Sequence, residues 1–199
     1  MDNTYEEVLN YWFDGESLDS PKLDARMDLW FGTDTSLATE ISERFGSKVE
    51  AALRGQLNDW AKVPQGRLAL ILLLDQFARR IYRGSKQAYA GDALALQLCA
   101  KGASNNMHAE LDSTQRLFFF MPLQRAESEK IQLRSVKVYQ AMAGKVSATM
   151  SETFETFAMI AELRHDVIAE FGRFPHRNMA LGRETTANEA KALTLGIAA

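Results

Sequence analysis

The sequence predicts an all-α protein of about ten antiparallel helices in a single array resembling tetratricopeptide-repeat proteins. Three observations carry that expectation. Apolar residues recur every three to four positions along nearly the whole chain, alternating strand patterns are almost absent, and helix start and stop residues punctuate the chain at short intervals. The 199 residues fit one domain, 1–199, with an ample core. A hydrophobic fraction of 46% and a charged fraction of 25% are those of a soluble globular protein, and four prolines with no low-complexity tract leave no place for a linker.

The first helix opens at Thr4-Tyr5-Glu6-Glu7, which reads as a capping box, and continues through Val8, Leu9, Trp12 and Phe13. Pro21 suits the first turn of a second, short helix that contains Met27 and ends near Leu29-Trp30-Phe31. Leu37, Ile41, Phe45, Val49 and Leu53 recur at four-residue steps, predicting a long amphipathic helix from Asp34 to Arg54. Pro64 opens a helix that reaches Tyr82 and stops at Gly84, and Ser85 to Lys101, stopped by Gly102, follows it. Asp112-Ser113-Thr114-Gln115 caps a short apolar piece, Leu117 to Met121, terminated by Pro122. Gln124 to Met142 and Glu152 to Phe171 are the next two helices, split by Gly144 and a Ser/Thr-rich turn. A short helix from Pro175 to Leu181 closes at Gly182, and Thr186-Ala187-Asn188-Glu189 is a capping box for the last one. No sequence period marks a regular solenoid, although a hairpin stack can repeat in geometry without repeating in sequence.

The net charge of −3 is unevenly spread: residues 1–63 hold 13 acidic and 6 basic side chains, residues 64–199 hold 13 and 17. The cationic excess of the second part reads either as ordinary surface charge or as the surroundings of an anion-binding region. A pI near 5.7 argues against a nucleic-acid partner. The longest apolar run, Leu68 to Leu74, is too short to span a bilayer, so no membrane partner is expected. An acidic, amphipathic start is unlike a secretory signal, and the lone Cys99 is expected to be a core thiol. The expected compartment is therefore the cytoplasm.

Polar residues meet the core in two places. In the helix from Pro64 the first two turns are apolar on every side, and Asp75 emerges directly from them. At about 100° per residue Asp75, Arg79 and Tyr82 share one face, and Gln76, Arg80 and Arg83 another. A carboxylate there must be paired, so Asp75 is either ion-paired with Arg79 four residues on or a general base at the floor of a cleft. The second place is Phe171-Gly172-Arg173-Phe174-Pro175-His176-Arg177-Asn178, followed by Gly182-Arg183. Gly172 suits a helix end and Pro175 a helix start, so the chain turns sharply with Phe171 and Phe174 as anchors. A helix N-terminus beside Arg173, His176 and Arg177 would hold phosphate or carboxylate, with Asn178 bonding backbone. Alternatively these arginines cap carbonyls and neutralise Asp75 and Glu127. No histidine pair has metal-ligand spacing, no nucleophile motif or dinucleotide-binding glycine pattern occurs, and no metal or cofactor is expected. Any acid–base chemistry would fall to Asp75, Glu127 and His176.

These residues resemble the bacterial family known as domain of unknown function 924. The resemblance runs through Val8-Leu9, Trp12-Phe13, Trp30-Phe31, Arg44-Phe45-Gly46, Gly55 and Trp60. It continues through Leu68 to Phe77, Ile81-Tyr82-Arg83-Gly84, Ala88 and Asp92. In the second part it takes in Pro122, Glu127, Gln132, Ser135-Val136, Phe171 to Asn178, Leu181-Gly182-Arg183, Thr186 and Glu189. It implies an all-helical fold similar to tetratricopeptide-repeat arrays and no established activity. The chain departs from the family pattern at Ala78, where a proline is usual, at Arg125-Ala126-Glu127-Ser128, where His-Ser-Glu-Asp is usual, and at Arg164, a usual histidine. Two histidine positions filled by arginine remove two proton-transfer candidates, which favours anion binding over acid–base catalysis.

Two functions follow. In the first, a polar pocket binds a small anionic metabolite through Arg79, Arg80, Tyr82, Arg173, Arg177, Asn178 and Arg183, oriented by Asp75 and Glu127, with weak hydrolysis through His176 as an extension. In the second, the polar cluster is purely structural and a helical-repeat module binds a protein or peptide partner. Exposed aromatics at Trp12, Trp30 or Trp60 would favour the second, although core packing is the commoner fate of tryptophan.

Overall fold

The computed structural model describes residues 4–14, 23–32 and 35–196, and the described residues contain helices and turns but no strand. The chain divides into two compact units, Met1–Arg83 with Gln87–Pro122, and Gly84–Lys86 with Leu123–Ala199. Each has its own internal logic.

The first unit is built around a buried rod. It starts as α4 (Pro64–Ile71), passes through a π-helical segment (Leu72–Phe77), and ends as α5 (Ala78–Ile81), with the backbone right-handed helical across both joins. Val63 is extended and Pro64 takes the first helical position, where its missing N–H costs nothing. Leu68 to Leu74 are all buried, as a helix with apolar residues on every side requires. Around the rod pack α1 (Tyr5–Phe13), α3 (Thr35–Leu53) and α6 (Asp92–Ser104), and α2 (Leu23–Phe31) packs on α1. An aromatic cluster closes the core: Trp12 meets Phe77 at 5.3 Å and Phe118 at 5.5 Å, and Trp30 meets Phe118 at 5.0 Å. Trp30 also donates its indole N–H to the Trp12 carbonyl at 2.9 Å. Trp12 and Trp30 are thus core residues, and Trp60 is half-buried against Tyr5.

In the second unit α8 (Glu129–Ala143) and α9 (Ala148–Phe171) pack along each other, and α10 (Ala187–Thr194) packs on a 3-10 turn at Pro175–Arg177. The helix α7 (Ser113–Arg125) leads into this unit from the first.

Several expected boundaries move. Thr4 sits at the N-cap of α1 but makes no side-chain cap, and the carboxylate of Glu7, the expected reciprocal partner, binds Lys48 of α3 at 2.9 Å. The expected starts at Pro21 and Asp34 lie outside the described residues. The helix expected from Ser85 becomes a 3-10 turn, Lys86–Tyr89, and α6 begins only at Asp92. Gly102 lies inside α6 rather than stopping it: a Cβ there would come within 2.5 Å of Arg67 Cδ and 2.8 Å of Phe119 Cζ. Its role is close packing. Asp112 and Gln115 do form reciprocal caps, at 2.8 and 3.3 Å, but α7 runs three residues past Pro122. The expected helix Gln124–Met142 is accordingly broken at Ala126-Glu127-Ser128, and the expected helix at Pro175 is one 3-10 turn.

Gly66 is the sharpest packing constraint in the first unit, since a Cβ would lie 2.3 Å from the Trp60 backbone carbonyl. Gly66→Ala should therefore cost about 1–3 kcal/mol in a urea melt. Gly144→Ala, where φ is −73° and the nearest atom is 3.7 Å away, should be neutral or stabilising by up to about 1 kcal/mol.

Candidate functional site

Asp75 lies in the π-helical segment and is only 1% exposed. Its carboxylate accepts from Arg79 Nε and Nη2 at 3.3 and 3.4 Å and from the Gln76 side-chain amide. Arg79 donates on to Asp92 of α6 at 2.6 Å and lies 4.9 Å from the Tyr89 ring centroid. Arg80 turns another way, donating to the Leu29 and Trp30 carbonyls at the end of α2 at 2.5 and 2.7 Å. Tyr82 does not share the Asp75 cluster. The π segment alters the helical phase and Tyr82 lies just past the end of α5, so its hydroxyl donates to Glu50 of α3. Burial first, then the Glu50 carboxylate, pushes its phenol up to about 12.

The second unit holds Glu127, Arg173, His176, Arg177, Asn178 and Arg183. α9 stops because Gly172 is left-handed, φ 69°, with its N–H on the Ile168 carbonyl at 2.8 Å. Phe174, Val167 and Ile168 form a small core with Phe171 at its edge. Arg183 forks onto Glu127 at 2.7 and 3.0 Å and also donates to the Phe174 carbonyl and to Asn178 Oδ1, both at 3.0 Å. Asn178 is fully buried and passes the chain on, its amide donating to Glu189 at 3.3 Å, and Glu189 holds Arg173 at 2.6 and 2.9 Å. Glu189 also accepts the Thr186 N–H at 2.8 Å, completing the expected capping box of α10.

The anion expected at the turn is thus supplied by the protein. The Phe174 N–H, at the start of the 3-10 turn, donates to Glu127 at 2.8 Å. Burial pushes the Glu127 carboxyl up, but the Arg183 and Phe174 hydrogen bonds outweigh it and the net shift is downward. Glu189 is held at about 2, by Arg173 first and then by the Thr186 N–H. His176 is exposed, its ring 5.6 Å from that of Phe174. A hollow of about 420 Å³ beside α10, lined by Glu170, Phe171, Arg173, Thr186, Asn188 and Glu189, has two carboxylates to one guanidinium. Another of about 540 Å³ in the first unit includes Glu6, Glu7 and Asp14 beside Arg26 and Arg44. Neither has the electrostatics of an anion site.

The polar groups that stand out lie where α7 ends. A helix C-terminus leaves carbonyls without intrahelical donors, and here side chains take them. Gln132 Nε2 bridges the Gln124 and Ala126 carbonyls at 3.0 and 2.8 Å, and Arg177, 4% exposed, donates to the Arg125 carbonyl at 3.0 Å. Arg164 Nη1 is 3.5 Å from the Gln124 carbonyl. The buried stripe of α8 is Gln132, Ser135 and Tyr139, with no aliphatic residue in it. Along it Gln132 Oε1 and Ser135 Oγ are buried without a hydrogen-bond partner among the described residues, as is Gln124 Nε2 on α7. Gln124 is 2% exposed and the other two 0%. Sequence reasoning singled out neither Gln124 nor the role of this stripe. The signal was present in polar residues at i, i+3 and i+7 where an amphipathic helix carries its core face.

A family model described as "Bacterial protein of unknown function (DUF924)" matches residues 8–196. A solved structure of a protein of unknown function from Agrobacterium tumefaciens is similar at 30% identity, with a TM-score of 0.81 over 96% of this chain and 97% of that one. No curated protein matches the sequence.

The Glu189 carboxyl titrates below the ~4.3 of an unfolded glutamate, so its stabilisation is present above that value and is lost as pH falls toward about 2. Urea midpoints should therefore drop between about pH 5 and about pH 3, and drop less in Glu189→Gln. Equal drops would show that other carboxylates carry the acid sensitivity. Arg177→Ala, which strips the Arg125 carbonyl of its donor, should cost about 1.5–3 kcal/mol with an unchanged urea slope.

Proposed function

We propose, for a chain that belongs to the bacterial family of unknown function DUF924, a role as a binding protein for a small anionic metabolite, a carboxylate or phosphate. The binding groups would be those at the end of α7 and along the buried stripe of α8, rather than the charged turn after α9. One observation carries this reading. Gln124, Gln132 and Ser135 are buried polar side chains, each with one polar atom that has no hydrogen-bond partner among the described residues. A buried unmet donor or acceptor costs about 1–3 kcal/mol, and native proteins carry few of them. A stripe that needed only to pack against its neighbours would be aliphatic. Arg164, whose guanidinium reaches the Gln124 carbonyl, supplies the positive charge.

The arginines first expected to hold the ligand serve this reading less well. Arg173 and Arg183 each grip a glutamate with two nitrogens, and Arg79 is paired with two aspartates. A hydrolytic role for His176 gains no support from an exposed ring on Phe174. The second reading, a helical interaction module, is favoured by Met159 and Leu163, 54% and 57% exposed and one turn apart on α9. It leaves the unmet groups of α8 unexplained.

Groups kept unmet for a ligand weaken the free protein. Ser135→Ala should therefore raise the ligand-free unfolding free energy, by about 1 kcal/mol, and diminish any ligand-dependent rise in Tm. A destabilised Ser135→Ala would mean that the hydroxyl has a structural duty and would overturn the proposal.

A further inference from the structure

The two long helices of the second unit carry opposite charges on their exposed faces. Past Glu129 every exposed charge of α8 is basic, Lys130, Arg134 and Lys137. Every exposed charge of α9 is acidic, Glu152, Glu155, Glu162, Asp166 and Glu170. Among the described residues these three bases meet no carboxylate and these five carboxylates meet no lysine or arginine. Glu155 accepts from Ser151, Glu162 from the Gln140 amide at 2.7 Å, and Asp166 meets the neighbouring His165 ring. Glu162, Asp166 and Glu170 follow at four-residue steps, where like charges repel. On the same two helices Leu133, Met159 and Leu163 are 47%, 54% and 57% exposed. We propose that this face of the α8–α9 hairpin docks on the same face of a second copy of the chain, making a four-helix bundle across a two-fold axis. The proposal goes beyond the ligand reading and does not depend on it.

The chain's own geometry supplies the complementarity. α8 and α9 run antiparallel, joined by residues 144–147, and the Gln140–Glu162 bond sets which residues lie level. Both helices rise equally per residue, so Lys137 comes close to the level of Asp166, and Arg134 and Lys130 lie on either side of Glu170. By the same count Leu133 is level with the exposed Ala169, and the exposed Ala141 falls between Met159 and Leu163. A two-fold axis between the helices and parallel to them keeps these levels while setting α8 of each copy over α9 of the other. The basic stripe of α8 then covers the acidic stripe of α9 twice over. Each large exposed apolar residue meets a small one, Leu133 against Ala169, and Met159 and Leu163 about Ala141. Stacking α8 on α8 would instead set like charges face to face.

The experiment is sedimentation equilibrium of the full chain at low salt over a range of micromolar concentrations. The mass should rise with concentration toward twice 22.3 kDa, and added salt should shift it back toward the monomer. Lys137→Glu and Asp166→Lys, both at exposed positions, should each weaken self-association at least roughly tenfold, because each sets like charges face to face twice. Mixed in equal amounts, the two variants should associate again, since a copy with acids at positions 137 and 166 then meets a copy with bases at both. A chain that stays monomeric throughout overturns the proposal. So does a dimer that neither substitution weakens, and so do two weakened variants whose mixture stays monomeric.

Discussion

A helix that ends inside a protein must find donors for its last carbonyls, and the end of α7 organises the second unit around that need. Its carbonyl oxygens carry the negative pole of the helix, which draws guanidinium and amide groups toward them. Arg177 arrives from the turn after α9, Arg164 from the middle of α9, and Gln132 from the first turns of α8. Three segments are tied to the carbonyls of residues 124–126, with Gln132 reaching two of them. The break between α7 and α8 is thus a junction as well as a change of direction.

The same economy explains why so many charged residues cluster in the turn after α9 without forming an anion site. An arginine near a carboxylate in a poorly solvated place is held by that carboxylate, and both fork geometries here are bidentate. Asn178 joins the two pairs, accepting from Arg183 and donating to Glu189. The network runs Glu127, Arg183, Asn178, Glu189, Arg173, two ion pairs joined by a neutral amide. An external anion would have to displace a carboxylate that the fold already holds at hydrogen-bond distance.

Much of the fold was legible from periodicity. The four-residue steps of Leu37 to Leu53 became α3, and the all-apolar run from Leu68 became the buried rod. Helix ends were harder to read wherever long-range contacts competed with local signals: Glu7 left its capping role for Lys48, and Gly102 was selected by Arg67 and Phe119 rather than by a helix stop. Residue faces near Asp75 were assigned with a regular α-helix, and the π segment has no sequence signature that would have warned against it. The pairing of Asp75 with Arg79 was nonetheless visible from their spacing. Of the candidate binding groups, the charged ones were conspicuous and proved to be committed to each other. The quiet ones, two glutamines and a serine, carry no charge and attract no motif, so only their burial brings them out.

Glu189 caps α10, holds Arg173 and receives Asn178, all with one carboxylate. Contacts that converge on a single group cannot be lost one at a time. The last helix should therefore detach and reattach as a unit, with the Arg173 and Asn178 bonds breaking together. Its amides would then exchange with solvent as a block, set by one opening event, rather than fraying gradually from Thr194 inward.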